Sequence, residues 1–455
     1  MARLFGTDGI RGKANRWPLT AEFVLKVGQA AMQVIGCTGN TRPQVLIGRD
    51  PRQSGFMLES ALAAGLMASG ADVMLAGVMT TPGVAYLTRI RGMALGIVIS
   101  ASHNPFDDNG IKIFGPDGFK IPDETELEIE RLLLDSTDEL KGAEGLRLGR
   151  SWDVSAWRED YIRHFTDMWG EDPFLHGKRI VLDCSNGATS EIAPEVFRRL
   201  GAEVIAMENA PDGFNINVHY EYIRPESLRQ AVLRERAFVG LAFDGDGDRL
   251  MLVDEKGGFV NGDAMMAILA RDLKQKGLLA GDTVVATPMS NWGLKASLEE
   301  VGLRLEEAPV GDRFILQRML ERGYTLGGEQ SGHIILLQHG QTTGDGIYTA
   351  LAVLKVVENA PGQTLSELAA CIREFPEYLT NVDVPGKPPL DSIPEIQEAL
   401  QRLRAALGEN VDINLRYSGT ESKLRLKIRA GPEHNPEALE REAEAFMAIA
   451  KQAIK

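Results

Sequence analysis

Three aspartates alternate with glycines in Phe243-Asp244-Gly245-Asp246-Gly247-Asp248-Arg249, between the apolar runs Phe238-Val239-Gly240-Leu241-Ala242 and Leu250-Met251-Leu252-Val253. Carboxylates this close repel unless a cation lies among them, and oxygen donors suit a hard divalent ion such as Mg²⁺. Glycine admits positive φ, so residues two apart can converge instead of facing opposite sides of a strand. A solvated acidic turn is the plain alternative. An EF-hand is excluded: Glu255 falls at its twelfth position, but Arg249 stands at the sixth, where glycine is required, and the flanks read as hairpin strands. Three carboxylates leave such an ion short of ligands, so further oxygen must come from elsewhere.

Ser102 can supply it. Gly96-Ile97-Val98-Ile99-Ser100-Ala101-Ser102-His103-Asn104-Pro105 reads as a buried strand running into a loop stopped by proline, which presents a side chain for reaction. His103 invites a Ser-His triad, but adjacent residues tend to point apart and no oxyanion-hole motif accompanies them. A serine beside Mg²⁺ points to phosphoryl chemistry instead. In Asn109-Gly110-Ile111-Lys112-Ile113-Phe114 the apolar neighbours place Lys112 on a strand. Near a cation and partly desolvated, its pKa is expected to fall far enough for proton transfer with a sugar hydroxyl, unless it is a surface lysine on an edge strand. Arg11, between the flexible glycines Gly9 and Gly12, can reach a transferring phosphoryl group.

Two further loops offer ligands for a polyhydroxylated, phosphorylated molecule. Gly328-Glu329-Gln330-Ser331-Gly332-His333 places a carboxylate, a hydroxyl and an imidazole in one glycine-bounded turn, suited to hydroxyls that both donate and accept, though a capped polar turn would look the same. Arg416-Tyr417-Ser418-Gly419-Thr420 combines a guanidinium, hydroxyls and an accessible glycine N–H, suited to a phosphate dianion. The basic residues of the following strand, Lys423 to Arg429, read as a solvated face.

The elements that must position these loops repeat. An apolar strand, a small polar loop, an amphipathic helix and a glycine leading to a second apolar strand occur from Val45 to Leu75, from Ile180 to Ile205 and from Thr283 to Leu305. Such βαβ-type units imply three similar mixed α/β domains, expected over 1–155, 156–254 and 255–370 with the serine, metal and sugar loops in that order. From 371 to 455 the pattern stops. A proline-rich segment leads to a helix, a strand–turn–strand and a terminal helix, which reads as a smaller α+β domain carrying the phosphate loop.

The chain has 455 residues, enough for several cores, and a net charge of −15, which does not draw it to nucleic acid or anionic lipid. Its opening residues form no apolar signal core and no apolar run reaches membrane-spanning length, so a soluble cytoplasmic protein is expected. Cys37, Cys184 and Cys371 are too few and scattered for a disulfide framework or metal knuckle. No complete GxGxxG, P-loop, GxSxG or HExxH motif occurs.

Together with Phe5-Gly6-Thr7-Asp8-Gly9-Ile10-Arg11-Gly12 and Val310-Gly311-Asp312-Arg313, these segments resemble the α-D-phosphohexomutases in motif order and spacing over essentially the whole chain, and within them the branch acting on glucosamine phosphate. The resemblance implies four domains around a central cleft, a phosphoserine at Ser102, and one Mg²⁺ held by Asp244, Asp246, Asp248 and a phosphoserine oxygen. It implies sugar contacts from Glu329 and Ser331 and capture of the non-reacting phosphate by Arg416, Ser418, Gly419 and Thr420. Lys112 matches the acid/base lysine, Arg11, His333 and Arg249 match supporting positions, and Asp312 stands in the third-domain sugar loop where mannose and glucose relatives often carry histidine. The implied reaction interconverts glucosamine 6-phosphate and glucosamine 1-phosphate for amino-sugar nucleotide and cell-wall precursor synthesis. It passes through a 1,6-bisphosphate, and glucosamine or glucose 1,6-bisphosphate is the expected activator. A mannose or glucose phosphate mutase would share all but the sugar loops. A catalytically silent sensor would be expected to lose Ser102 or an aspartate, and both are intact. The expected partner is a small sugar phosphate, and the resemblance leaves room for a homodimer.

Overall fold

The structure is a computed structural model that describes residues 4–6, 8–35, 42–169, 174–218, 225–418 and 422–454. Each of the three repeats forms as read from the sequence. Strands Gln44–Arg49 and Asp72–Val78 pair in parallel across helix Ser54–Ala68. Strands Arg179–Asp183 and Glu203–Met207 do so across Thr189–Arg199, and Thr283–Ala286 and Arg304–Glu307 across Trp292–Glu300. The helix Thr189–Arg199 shows why: Ile192, Ala193, Val196 and Phe197 recur at helical spacing and are buried on one face.

The repeat extends further than the sequence reading took it. In each unit the parallel pair is followed by an antiparallel pair on the same sheet: Leu95–Ile99 with Asp108–Phe114, Val239–Phe243 with Leu250–Val253, and Leu326–Gly328 with Ile334–Leu336. The turn of each pair is one of the chemistry-bearing loops, 100–107, 244–249 and 329–333. A strand end delivers each loop, and the return strand fixes its register.

The fourth unit is a three-stranded antiparallel sheet in the order Glu377–Asp383, Lys423–Ala430, Val411–Tyr417, backed by helices Pro394–Leu407 and Pro436–Ala453. The strand Glu377–Asp383 was not foreseen: its side chains are half-buried or exposed in alternation, so it lacks the apolar run that marks the central strands. The fold is thus three mixed α/β domains and a smaller α+β domain.

The first three domains share apolar packing. One buried cluster runs from Leu46, Met74 and Phe114 through Leu182 and Phe243 to Met265, Ala286 and Leu351. The fourth has its own core, around Ile396, Leu426, Ile428, Phe446 and Met447. It meets the third largely through polar side chains. Lys427 and Arg429, read as a solvated face, are only 3% and 4% exposed. Lys427 Nζ pairs with Glu377 of its own sheet at 3.1 Å and donates across to the Met289 carbonyl of the third domain, and Arg429 pairs with the third domain's Glu307 at 2.7 Å and donates to the Ser290 carbonyl at 3.3 Å. The alternation of the strand was read correctly, but the face it turns outward from its own sheet is covered by a neighbouring domain. Among the described residues, no helix is long and apolar enough to cross a membrane.

Candidate active site

The loops of the first three domains converge on the aspartate triad. Asp244, Asp246 and Asp248 are buried, and one oxygen from each lies within 4.8 Å of the others. Gly247 has φ +74°, the left-handed backbone expected of it, and a Cβ there would stand 2.7 Å from the Thr189 methyl. A Cβ on Gly245 would lie 2.6 Å from the Ser102 carbonyl, so this glycine lets the serine loop and the aspartate loop touch.

Ser102 Oγ donates to Asp244 Oδ2 at 2.6 Å. Ser102 itself has φ +52°, a conformation sparsely populated by non-glycine residues and concentrated at functional sites. Its turn is held from beneath: Arg52 donates to the Ser102 carbonyl at 3.2 Å, and Ser100 Oγ accepts from the Ser102 amide at 2.9 Å. His103 does not point away as expected. Its Nδ1 is 3.4 Å from Ser102 Oγ, but the charge of Arg249, burial and Arg11 push the imidazole down to about 2.

Lys112 lies on strand Asp108–Phe114, which is interior to its sheet because Ile10–Lys13 pairs on its far side. Its Nζ stands 2.9 Å from Asp246, 3.2 Å from Asp8 and 3.4 Å from Asp248. The expected fall in its pKa is overturned: burial acts downward, but these carboxylates outweigh it and hold the group above the ordinary lysine value. Arg11, on strand Ile10–Lys13, donates to the Ala101 carbonyl at 3.2 Å and pairs with Asp8. Gly9 serves close approach here, since a Cβ would stand 2.2 Å from the Ile111 carbonyl.

His333 joins the triad to the third-domain loop, with Nδ1 3.6 Å from Asp248 and Nε2 3.7 Å from Asp312. Burial opposes its charge, but Asp248 and Asp312 raise it to about 8. Arg249 donates its backbone N–H to Asp244 Oδ1 at 3.1 Å, and its Nε lies 3.9 Å from Asp248. Ser331 Oγ donates to Glu329 at 3.4 Å. Arg416 lies at the end of strand Val411–Tyr417, where burial and the charge of Arg425 lower its guanidinium from the ordinary arginine value against the opposing charge of Glu329. The Ser418 carbonyl accepts from Lys387 at 2.6 Å. Gly419 and Thr420 lie outside the described residues, as does Cys37.

Sequence reasoning missed Asp8, Thr81 and Lys120 as site residues. Thr81, at the start of helix Thr81–Ile90, donates its hydroxyl to Asp246 at 2.6 Å and its amide to the Asp246 carbonyl at 2.9 Å. Lys120 bridges Asp8 at 2.8 Å and Asp312 at 2.6 Å, which gives Asp312 the contact its sequence position left unassigned. The acidic Thr7-Asp8 segment was the one available signal.

The donor set fits a divalent cation. Burial and the charges of Asp248 and Asp246 push Asp244 well above the usual carboxylate range, and Asp246 Oδ1 is a buried oxygen with no hydrogen-bond partner. Asp244, Asp246 and Asp248 would hold such an ion.

Comparison with known proteins agrees with this architecture. Models of the phosphoglucomutase/phosphomannomutase alpha/beta/alpha domains I, II and III match residues 2–139, 159–258 and 261–375, and the model of the C-terminal domain matches 379–449. A phosphoglucosamine mutase of Syntrophus aciditrophicus is 45% identical over 432 residues, 95% of each chain. The crystal structure of a phosphoglucomutase/phosphomannomutase family protein from Burkholderia thailandensis shares the fold at TM-score 0.79 and 24% identity, over 100% of this chain and 98% of that one. An N-acetylphosphoglucosamine mutase of Aspergillus fumigatus, in complex with GlcNAc-6P and magnesium, shares it at TM-score 0.66 and 18% identity, over 99% and 96%. The chain belongs to the phosphoglucosamine mutase family of the phosphoglucomutase/phosphomannomutase superfamily.

Proposed function

We propose that the chain interconverts glucosamine 6-phosphate and glucosamine 1-phosphate by phosphoryl transfer through Ser102. The observation that carries this reading is the 2.6 Å hydrogen bond from Ser102 Oγ to the first carboxylate of a buried triad. In the forward direction the Oγ–P bond of phospho-Ser102 breaks and a bond from phosphorus to O1 of glucosamine 6-phosphate forms. The glucosamine 1,6-bisphosphate so made turns over in the cleft and returns its 6-phosphoryl group to Ser102. Glucosamine or glucose 1,6-bisphosphate primes the serine.

Lys112 enters as its ammonium. It gives a proton to Ser102 Oγ as the Oγ–P bond breaks and recovers one from the sugar hydroxyl whose oxygen forms the new bond. Arg11, Arg249 and His333 set positive charge around the transferring group. Bound by Asp244, Asp246, Asp248 and a phosphoserine oxygen, Mg²⁺ supplies neutralising charge for the transferring phosphoryl group.

Glu329 and Ser331 hold sugar hydroxyls, Asp312 lines the same side, and Arg416, Ser418, Gly419 and Thr420 hold the phosphate that does not react. The separate core of the fourth domain and its polar seat suit a body that closes over a reorienting intermediate. A coupled assay comparing glucosamine, glucose and mannose 6-phosphates tests the assignment. The highest kcat/KM is expected for glucosamine 6-phosphate, and comparable or better turnover of another hexose would contradict it.

A further inference from the structure

We propose that Asn217 is a positioning residue that clamps the Ser102 loop of the first domain onto the aspartate loop of the second. Its Nδ2 donates to two carbonyls of the serine loop, Ser102 at 2.8 Å and Asn104 at 3.0 Å. These are the two carbonyls that Arg52 of the first domain also reaches. The turn is therefore gripped at the same two oxygens from both domains.

Asn217 is itself fixed to the second domain. Its backbone N–H donates to the Ser185 carbonyl at 2.9 Å, and Ser185 Oγ donates to the Phe243 carbonyl at 2.6 Å, immediately before Asp244. A Cβ on Gly245 would stand 2.8 Å from Asn217 Nδ2 and 2.6 Å from the Ser102 carbonyl, so amide, serine loop and aspartate loop meet without a gap. Asn217 has φ +59°, a left-handed conformation that asparagine tolerates better than most residues.

The need for such a clamp follows from Ser102. A serine at φ +52° holds that backbone only where its surroundings over-determine it. In the proposed reaction one Oγ must serve two transfers in opposite senses, so its place relative to Asp244 has to survive both. Misplacement of reacting atoms by about 1 Å can cost roughly a hundredfold in rate. The clamp acts on chemistry rather than on substrate binding, because Asn217 holds backbone carbonyls behind the serine.

The inference rests on the phosphoserine reading for its kinetic consequence but not for its structural one. Asn217→Gly keeps the left-handed backbone and deletes both donors. Hydrogen exchange of the peptide spanning residues 100–106 is expected to quicken at least tenfold in Asn217→Gly, with the aspartate-loop peptide spanning 239–250 changed far less. Single-turnover passage of an isotopic label from phospho-Ser102 to the sugar phosphate, with glucosamine 6-phosphate in excess, is expected to slow by at least about thirtyfold at an unchanged half-saturating concentration. Unchanged exchange at 100–106 overturns the clamp whatever the substrate proves to be. Faster exchange with wild-type phosphoryl transfer, or an effect confined to half-saturation, overturns the positioning role. If wild-type phospho-Ser102 is inert to glucosamine, glucose and mannose phosphates, the functional reading fails and the exchange result alone decides the clamp.

Discussion

Ser102 Oγ and Asp244 Oδ2 stand 2.6 Å apart although 142 positions separate the two residues in the chain. They belong to different sheets, and each sits in the turn of an antiparallel pair appended to a parallel βαβ unit. Repetition of one supersecondary plan places equivalent turns at a common cleft, where each has been given different chemistry. In the proposed reaction a nucleophile, a metal-binding triad and a polyol-binding turn are three uses of the same structural position.

Asp246→Asn removes one of three buried anions from the triad and leaves Lys112 and Thr81 facing a neutral amide. Mg²⁺ affinity, measured by titration against activity, is expected to fall at least about tenfold. An unchanged Mg²⁺ dependence would place the metal elsewhere.

Arg416→Ala removes a guanidinium of the fourth domain while leaving the triad untouched. Loss of a charged hydrogen-bonding partner is worth about 1.5–3 kcal/mol, so KM for the sugar phosphate is expected to rise roughly ten- to a hundredfold with Mg²⁺ affinity unchanged. A shift in metal affinity without one in KM would show that the phosphate is held by other residues.

Lys120 is the cation that Asp8 and Asp312 share, at 2.8 and 2.6 Å, and it ties the first domain to the third. Lys120→Met leaves two carboxylates close together with their shared cation gone. A loss of about 1–3 kcal/mol is expected from breaking a half-buried pair of this kind. Adding Asp312→Asn should return part of that loss, because the uncompensated charge is then removed. Denaturation midpoints of the single and double variants check this, and strictly additive losses would contradict it.

What the sequence made legible, and what it hid, follows from range. Asp244, Asp246 and Asp248 declare themselves because their spacing is local, and Ser102 and Lys112 because the strands that carry them are apolar. Lys120 and Thr81 were invisible because each looks ordinary until a second domain is brought against it. Lys427 and Arg429 were misread for the same reason: alternation along a strand tells which face is polar, but not whether another domain covers it. The fall expected for Lys112 failed because partners 134 and 136 positions away reverse the effect of burial.

Asp263 offers a test by pH. Burial pushes its carboxyl up to about 7, despite the Asn291 amide that donates to it at 2.8 Å. A carboxyl raised in the folded state favours folding fully below its unfolded value of about 4, and that contribution is lost as pH rises towards 7. Asp263→Asn does not titrate. The melting temperature of the variant minus that of the wild type should therefore climb between about pH 4 and 7 and level off above it. A difference independent of pH would contradict the raised value.

The central claim is that Ser102 carries the phosphoryl group between the two half-reactions, and Ser102→Ala tests it most directly. Intact mass of the wild type should show one phosphate, an isotopic label in that phosphate should pass to the sugar phosphate on turnover of glucosamine 6-phosphate, and glucosamine 1,6-bisphosphate should phosphorylate enzyme that lacks it. The variant should carry none and should lose mutase turnover, because the hydroxyl that donates to Asp244 is gone. Steady turnover by Ser102→Ala, with no phosphate on the protein, would contradict the covalent mechanism.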